Sequence, residues 1–335
     1  MVKGSQSFIF DSQPVIIASA TVGGPLEAEG PLSEDIDILH DDPYMGQDSF
    51  EKAEKLMIEE AAMKALEKAG VDKDEVGVFI SGDLINQIIA SSFAARTLGI
   101  PYLGIYGACS SSMEGLAIAA SLVDGQKVKY VLTGASSHNN SAEKQYRYPN
   151  EYGAQKPPTS QWTVTGAGVC LLTFQGKGPR VIGATLGRIV DMGITDPFNM
   201  GAAMAPAAVD TIKAHFRDFG IGSDYYDLIV TGDLGAVGHK IALDKFKENG
   251  ISINEKAFLD CGMMIYDRER QPQVFAGGSG CASSAVTIYG HLLNEMRKGK
   301  IKRLLAVATG ALHSPLSYQQ KESIPCIAHA VAIEM

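Results

Sequence analysis

The sequence predicts an α/β protein made of two duplicated, pseudo-symmetric βαβ halves packed in layers. Three observations carry this. ALEKAGVDKDEVGVFISGDL, ending at Leu84, and HFRDFGIGSDYYDLIVTGDL, ending at Leu234, run in register 150 residues apart. A second pair follows in the same order: GACSSSMEGLAIAASLVDGQKVKYVLTGASSH at 107–138 and GSGCASSAVTIYGHLLNEMRKGKIKRLLAVATGALH at 278–313. Two ordered pairs mean internal duplication. Third, helical patterns alternate with β-rich apolar runs in each half, the signature of parallel strands joined by helical crossovers.

Each element has a local reason. The first repeated unit reads as the end of an amphipathic helix, a glycine stop (Gly70, Gly220), a turn, and an apolar strand ending in Gly-Asp-Leu. Glycine belongs there because a helix ends most easily on a left-handed residue. The second unit reads as a turn, a cysteine among small residues, a helix, a basic turn, a strand, Thr-Gly-Ala and a histidine, His138 or His313. The joint falls near FQGKGPRVIGA (174–184), giving halves 1–176 and 177–335. No low-complexity linker separates them, so one shared core is expected.

Bulk properties narrow the function. The chain has 335 residues, 45% hydrophobic and 20% charged, an ordinary globular balance. A net charge of −9 argues against nucleic-acid binding and gives no general attraction to anionic lipid. Cys109, Cys170, Cys261, Cys281 and Cys326 are odd in number, with no C-x-x-C pair and no metal-ligand spacing. Free, reduced thiols and no metal are expected. GGSG at 277–280 follows no dinucleotide pattern, and no other motif asks for a cofactor. No apolar run of signal-peptide or membrane-spanning type is present, so membrane contact is expected only through a partner.

Duplicated α/β halves with a cysteine opening a helix of the first half resemble the thiolase superfamily, and within it the ketoacyl-synthase III type of condensing enzyme. GACSSSMEGL resembles that type's nucleophile turn, TVTGAGVCLLTF (163–174) its strand closing the first half, and GGSGCASSAV (277–286) the glycine turn of the second. The resemblance implies an α/β/α/β/α stack and a homodimer formed through the strand before the first Thr-Gly-Ala, about 128–135. SQPVIIASATVGGPLEAEGPLSEDID, DMGITDPFNMGAAMAPAA (191–208) and TGDLGAVGHK resemble, more closely, the stage V sporulation protein AD family of endospore formers. That likeness implies a role in moving dipicolinic acid into the developing spore and releasing it in germination. It also implies location at the inner membrane of forespore and spore through membrane-spanning partners of the same channel system.

Cys109 admits two readings. A thiol at a helix N-terminus faces free N–H groups and the positive end of the helix dipole, which favours thiolate and makes an anion site. It is equally a small buried apolar residue. Condensing enzymes of the resembled type pair their cysteine with a histidine after the second half's strand and an asparagine in its glycine turn. Here Gly232 falls at the histidine position, Gly235 at the asparagine that follows it, and Ser279 at the second asparagine. Both partners are missing. The resemblance therefore favours a non-catalytic binding protein over an acyltransferase with Cys109 and an unusual partner such as His313 or Asp233. A structural subunit of the channel complex is the third reading.

The expected ligand-binding set is Cys109, Ser110, Asp233, Ser279, His313, Arg147 and His138. Ser110 and Cys109 would present backbone N–H groups to a carboxylate. Asp233 sits at a strand end, where it serves either a ligand or the next helix as a cap, and its mate Asp83 is expected to cap. His138 and His313 each follow Thr-Gly-Ala, placing them at a pocket or in a turn. His239 stands two turns along a helix and is expected at the surface or capping; His40, His215, His291 and His329 are expected to be structural. The insertion 137–163 carries Lys144, Arg147, Lys156, Tyr146, Tyr148, Tyr152 and Trp162, types suited to a flat aromatic dianion. Met192, Phe198, Met200 and Met204 are expected as pocket wall or core.

Overall fold

A computed structural model describes residues 1–146 and 156–335. The first half contributes β1 (Val15–Gly23), β2 (Val78–Gly82), β3 (Tyr102–Gly104), β4 (Val131–Ser137) and β5 (Gly166–Thr173). The second contributes β6 (Arg180–Thr185), β7 (Leu228–Thr231), β8 (Phe258–Asp260), β9 (Arg303–Ala311) and β10 (Cys326–Glu334). Across the sheets the order is β3-β2-β4-β5-β1 and β8-β7-β9-β10-β6. Both halves thus read third, second, fourth, fifth, first. In each, the second, third and fourth strands are parallel and the fifth is antiparallel to both neighbours. The duplicated sequence is a duplicated topology. The sheets touch edge to edge where Arg180 of β6 pairs with Val15 of β1. Ser7–Ile9 of the N-terminus pairs with β6 and so belongs to the second sheet.

Helices cover and separate the sheets. α1 (Phe50–Ala69) starts on Ser49, whose hydroxyl accepts the Lys52 N–H, and stops on Gly70 at φ +63°. α2 (Ile89–Leu98) follows β2, and α3 (Ser111–Asp124) follows the cysteine turn. α4 (Met200–Phe219) is the mate of α1 and stops on Gly220 at φ +70°. α5 (Gly235–Glu248) follows β7. α6 (Cys281–Val286) continues through a π turn at Thr287–Leu292 and a last helical turn at Leu293–Arg297.

α1 packs on β1 and β5, α4 on β9 and β10, on the outer faces. α3 and α6 lie between the sheets: α3 touches β2 and β4 of its own half and β9 and β10 of the other, while α6 packs on β1, β4 and β5. One cluster of buried side chains therefore draws on both halves, including Met113, Leu116, Val131, Cys281, Ile288 and Leu304. This is the expected α/β/α/β/α stack, and it brings the N-termini of the two central helices together.

One expectation is corrected. β4, at the segment expected to form the dimer strand, is hydrogen-bonded on both sides, to β2 and to β5. A strand with both ladders filled has no edge to offer. The free edge of the first sheet is β3.

Candidate functional site

The chain leaves β3 and turns sharply into α3. Ala108 sits at φ +49°, a conformation costly for a residue with a Cβ and typical of tight functional turns. The turn closes on itself. The Ser110 hydroxyl donates to Gly107 O at 2.6 Å and the Ser111 hydroxyl to Ala108 O at 2.8 Å. The N–H groups of Ser110 and Ser111 return to Gly107 and Ala108, and those of Met113 and Glu114 to Ser110. The Ser110 N–H is thus used inside the turn, which corrects the expectation that it holds a ligand carboxylate. Ser110 is fully buried and lines none of the cavities described below, so its expected ligand role is corrected too.

Cys109 ends the turn, 6% exposed, at the closed end of a cavity. Its thiol lies well above its ordinary pKa. Burial is the largest cause, followed by the nearby Asp233 carboxylate and Cys281. Desolvation and a neighbouring negative charge both disfavour the thiolate. Of the two open readings of Cys109, its burial and the Asp233 carboxylate favour the protonated, buried thiol.

Where the resemblance calls for histidine, Gly232 leaves no room for a side chain: a Cβ there would stand 3.0 Å from both Ala308 Cα and Thr309 N. The next residue, Asp233, fills the space against the second glycine turn. It is 1% exposed, and its carboxylate accepts from the Thr309 hydroxyl (2.7 Å), the Gly280 N–H (3.0 Å) and the Ser279 hydroxyl (3.2 Å). Burial raises its pKa to about 6. Of its two open readings, the cap is excluded, because Asp260 accepts the N–H groups of Leu234 and Gly235 at the start of α5. Asp83 does cap, accepting from Ile85 and Ser91.

From Cys109 and Ser279 the cavity runs outward past Thr163, Tyr146 and Met200, with about 100 Å³ at this inner end. It continues into a space of about 120 Å³ bordered by Lys156, Gln161, Phe198 and Tyr318. A side recess of about 270 Å³, reached past His313 and Tyr106, is lined by Asn86, Gln87 and Ser314.

His313 stands between the inner end and the side recess, 5% exposed. Its ring lies parallel to that of Tyr146, with centroids 4.9 Å apart, and edge-on to Tyr318 at 5.6 Å. The Tyr146 hydroxyl donates to His313 O at 3.0 Å. Neither ring nitrogen has a partner among the described residues. Burial holds the imidazole pKa below its ordinary value, so the ring is neutral near pH 7.

The other histidines are structural. His138 is corrected: its Nδ1 accepts the Asn140 N–H (3.1 Å) at the start of the short helix Asn139–Glu143, and its Nε2 donates to Pro43 O (2.8 Å). His239 donates to Phe258 O and stacks on that ring. His215 bridges Thr185 and Tyr226, His291 pairs with Asp35, His40 pairs with Glu60, and His329 accepts the Gly187 N–H.

Within the insertion, Lys156 is nearly buried, pairs with Glu143 at 2.8 Å and lies over the Trp162 ring. Lys144 pairs with Glu51 away from the cavity wall. Arg147, Tyr148 and Tyr152 lie outside the described residues. The sequence reading missed Tyr106, Tyr318, Thr163 and Gln161. Nothing local marks them; Gln161 matters because its amide donates to the carbonyls of both Asp233 and Gly278, at 2.8 Å each. Thr309 was also missed, although it opens the second Thr-Gly-Ala element that the duplication marks.

Two sets of five main strands in one repeated order, with a cysteine on a strained turn before a central helix, define a thiolase-like fold of the ketoacyl-synthase III kind. Solved structures agree. The 3-oxoacyl-[acyl-carrier-protein] synthase III of Aquifex aeolicus aligns over 96% of this chain and all of its own, with a TM-score of 0.60 at 13% identity. A Xanthomonas campestris OleA structure aligns over 98% of this chain and all of its own, at 0.64 and 15%. At these identities the likeness is one of fold. The stage V sporulation protein AD family model matches residues 4–334. The Stage V sporulation protein AD of Bacillus subtilis (strain 168) is 47% identical over 333 residues, 99% of this chain and 98% of that protein. The chain belongs to the stage V sporulation protein AD family.

Proposed function

We propose that this chain is a non-catalytic member of the thiolase fold that binds dipicolinic acid, free or as its calcium chelate, for uptake into developing spores and release in germination. One observation carries the reading. His313 faces the cavity with both ring nitrogens unpartnered, stacked on Tyr146. Buried polar atoms without partners are rare in folded chains, and in a cavity they mark a place for a ligand. Parallel rings with a cation, Lys156, at the outer space suit a flat aromatic carboxylate.

The missing histidine and asparagine, and a thiol held protonated, argue against condensation. Calorimetric titration with dipicolinate, with and without calcium, tests the reading beside acyl-CoA labelling of Cys109. Binding without acylation is expected. A covalent acyl-thioester would turn the assignment to an acyltransferase, and binding of neither ligand would turn it to a structural subunit of a spore membrane channel complex.

Among the described residues no helix is long and apolar enough to cross a membrane. We accordingly place the chain at the spore inner membrane through membrane-spanning partners. We propose that the chain forms a homodimer through the free edge of β3, a reading supported by the exposed Leu103 and the neighbouring Tyr106, Ile89 and Phe93.

A further inference from the structure

The duplication puts a carboxylate at the same place in both halves, and the two have taken different work. Asp83 caps, accepting the N–H groups of Ile85 and Ser91 at 2.8 Å each. Thr133, which opens the first Thr-Gly-Ala, is left with no partner for its hydroxyl among the described residues. In the second half Asp260 does the capping. Asp233 is thereby free for another use, and the hydroxyl of Thr309, which opens the second Thr-Gly-Ala, turns to it.

Three donors from two elements converge on the Asp233 carboxylate. They are the Thr309 hydroxyl on β9 and the Ser279 hydroxyl and Gly280 N–H of the glycine turn, and the carboxylate they hold is near enough to Cys109 to help keep its thiol above the ordinary range. Donors gathered around one buried point make an anion site. We infer that Asp233 is an internal ligand: its carboxylate fills the anion position at the closed end of the cavity, holds the Cys109 proton, and withholds that position from any bound carboxylate or thioester oxygen. The cavity walls agree. Cys109 and Ser279 face the open space, while Asp233 lies behind them. An anionic molecule entering from the Lys156 side therefore stops short of the cysteine. Its carboxylates are left to the outer groups.

The test is the pH profile of Cys109 alkylation by iodoacetamide, a small neutral probe whose iodide is displaced by thiolate sulfur. Labelling is read on the Cys109 peptide by mass spectrometry. Asp233→Asn, nearly isosteric, is expected to move the midpoint of the profile down by about one pH unit or more, and so to raise the rate about tenfold below the midpoint. Thr309→Val, which keeps the carboxylate, should leave the midpoint near that of the wild type. In Asp233→Ala, added formate should occupy the vacated position and return alkylation toward the wild-type rate, with no effect on wild type or Asp233→Asn.

A midpoint unchanged in Asp233→Asn, with only the plateau altered, would show a packing role and overturn the inference. So would an Asp233→Ala variant indifferent to formate. Should Asp233→Ala fold poorly, formate-dependent recovery of its melting transition is the corresponding reading, and absence of recovery counts against the site. No dipicolinate enters this experiment, so its outcome is independent of the binding proposal.

Discussion

The ring of Tyr146 lies parallel to that of His313, 8° from coplanar and 4.9 Å away, and its hydroxyl donates to the carbonyl of the same histidine. The contact joins the insertion of the first half to the loop after β9 in the second. It fixes the imidazole in the cavity while leaving both nitrogens free.

Binding of a dianion should therefore be linked to a proton. In the free protein burial keeps the His313 pKa low. A nearby carboxylate favours imidazolium, so the pKa in the complex is higher than in the free protein. Between those two values binding takes up a proton, and affinity rises as pH falls. Calorimetry in two buffers of different ionisation enthalpy should show proton uptake near about pH 6 and none near about pH 8.5. His313→Ala should abolish the uptake and weaken dipicolinate about tenfold. Unchanged uptake in that variant would assign the proton to another group.

Lys156 should supply the charge. Its ammonium pairs with Glu143 and lies 5.4 Å from the centre of the Trp162 ring, which holds it in place at the outer space. Lys156→Gln should lower dipicolinate affinity about tenfold or more, since a charge-assisted contact in a secluded site contributes about 1.5–3 kcal/mol. Lys144→Gln, whose amine pairs with Glu51, should change it little. Equal losses in both would indicate a general field rather than a contact.

How much of this was legible in the sequence depends on range. The repeat placed β2, β4, β7, β9 and the central helices, because hydrophobic periodicity and glycine stops are local. It also marked Cys109, Ser279 and His313, which the structure does bring to one cavity. What failed were statements about a group's surroundings. The dipole argument for Cys109 used only its own helix, whereas burial and Asp233 arrive from the other half. His138 and His313 share a motif, yet Pro43 and Asn140 claim one ring and nothing claims the other. The edge strand was misassigned because sheet order is set by pairing, which adjacent sequence does not encode.

Restoring the absent histidine should fail for a packing reason. A Cβ at position 232 would press on the β9 backbone at 3.0 Å, and that backbone is held in the middle of the sheet by β7 and β10. Gly232→His should destabilise the fold by about 2 kcal/mol or more and confer no malonyl-CoA decarboxylation. Thermal melting and CO₂ release measure the two parts. A stable, active variant would show that the strands can separate here.

Stability should carry the mark of a carboxyl far from the cavity. Glu27, on the short helix Pro25–Ala28, is 1% exposed and accepts from the Tyr266 hydroxyl and the Thr165 N–H, with Oε2 unpartnered. Burial raises its pKa from 4.5 to about 7. The folded state therefore binds the extra proton between those values, and the stability it contributes is lost as pH rises through about 7. The full swing is about 3 kcal/mol at most. Glu27→Gln keeps a neutral side chain at every pH, so its melting temperature should gain on the wild type from about pH 5 to about pH 8. A constant difference across that range would mean that Glu27 remains charged, or remains neutral, throughout.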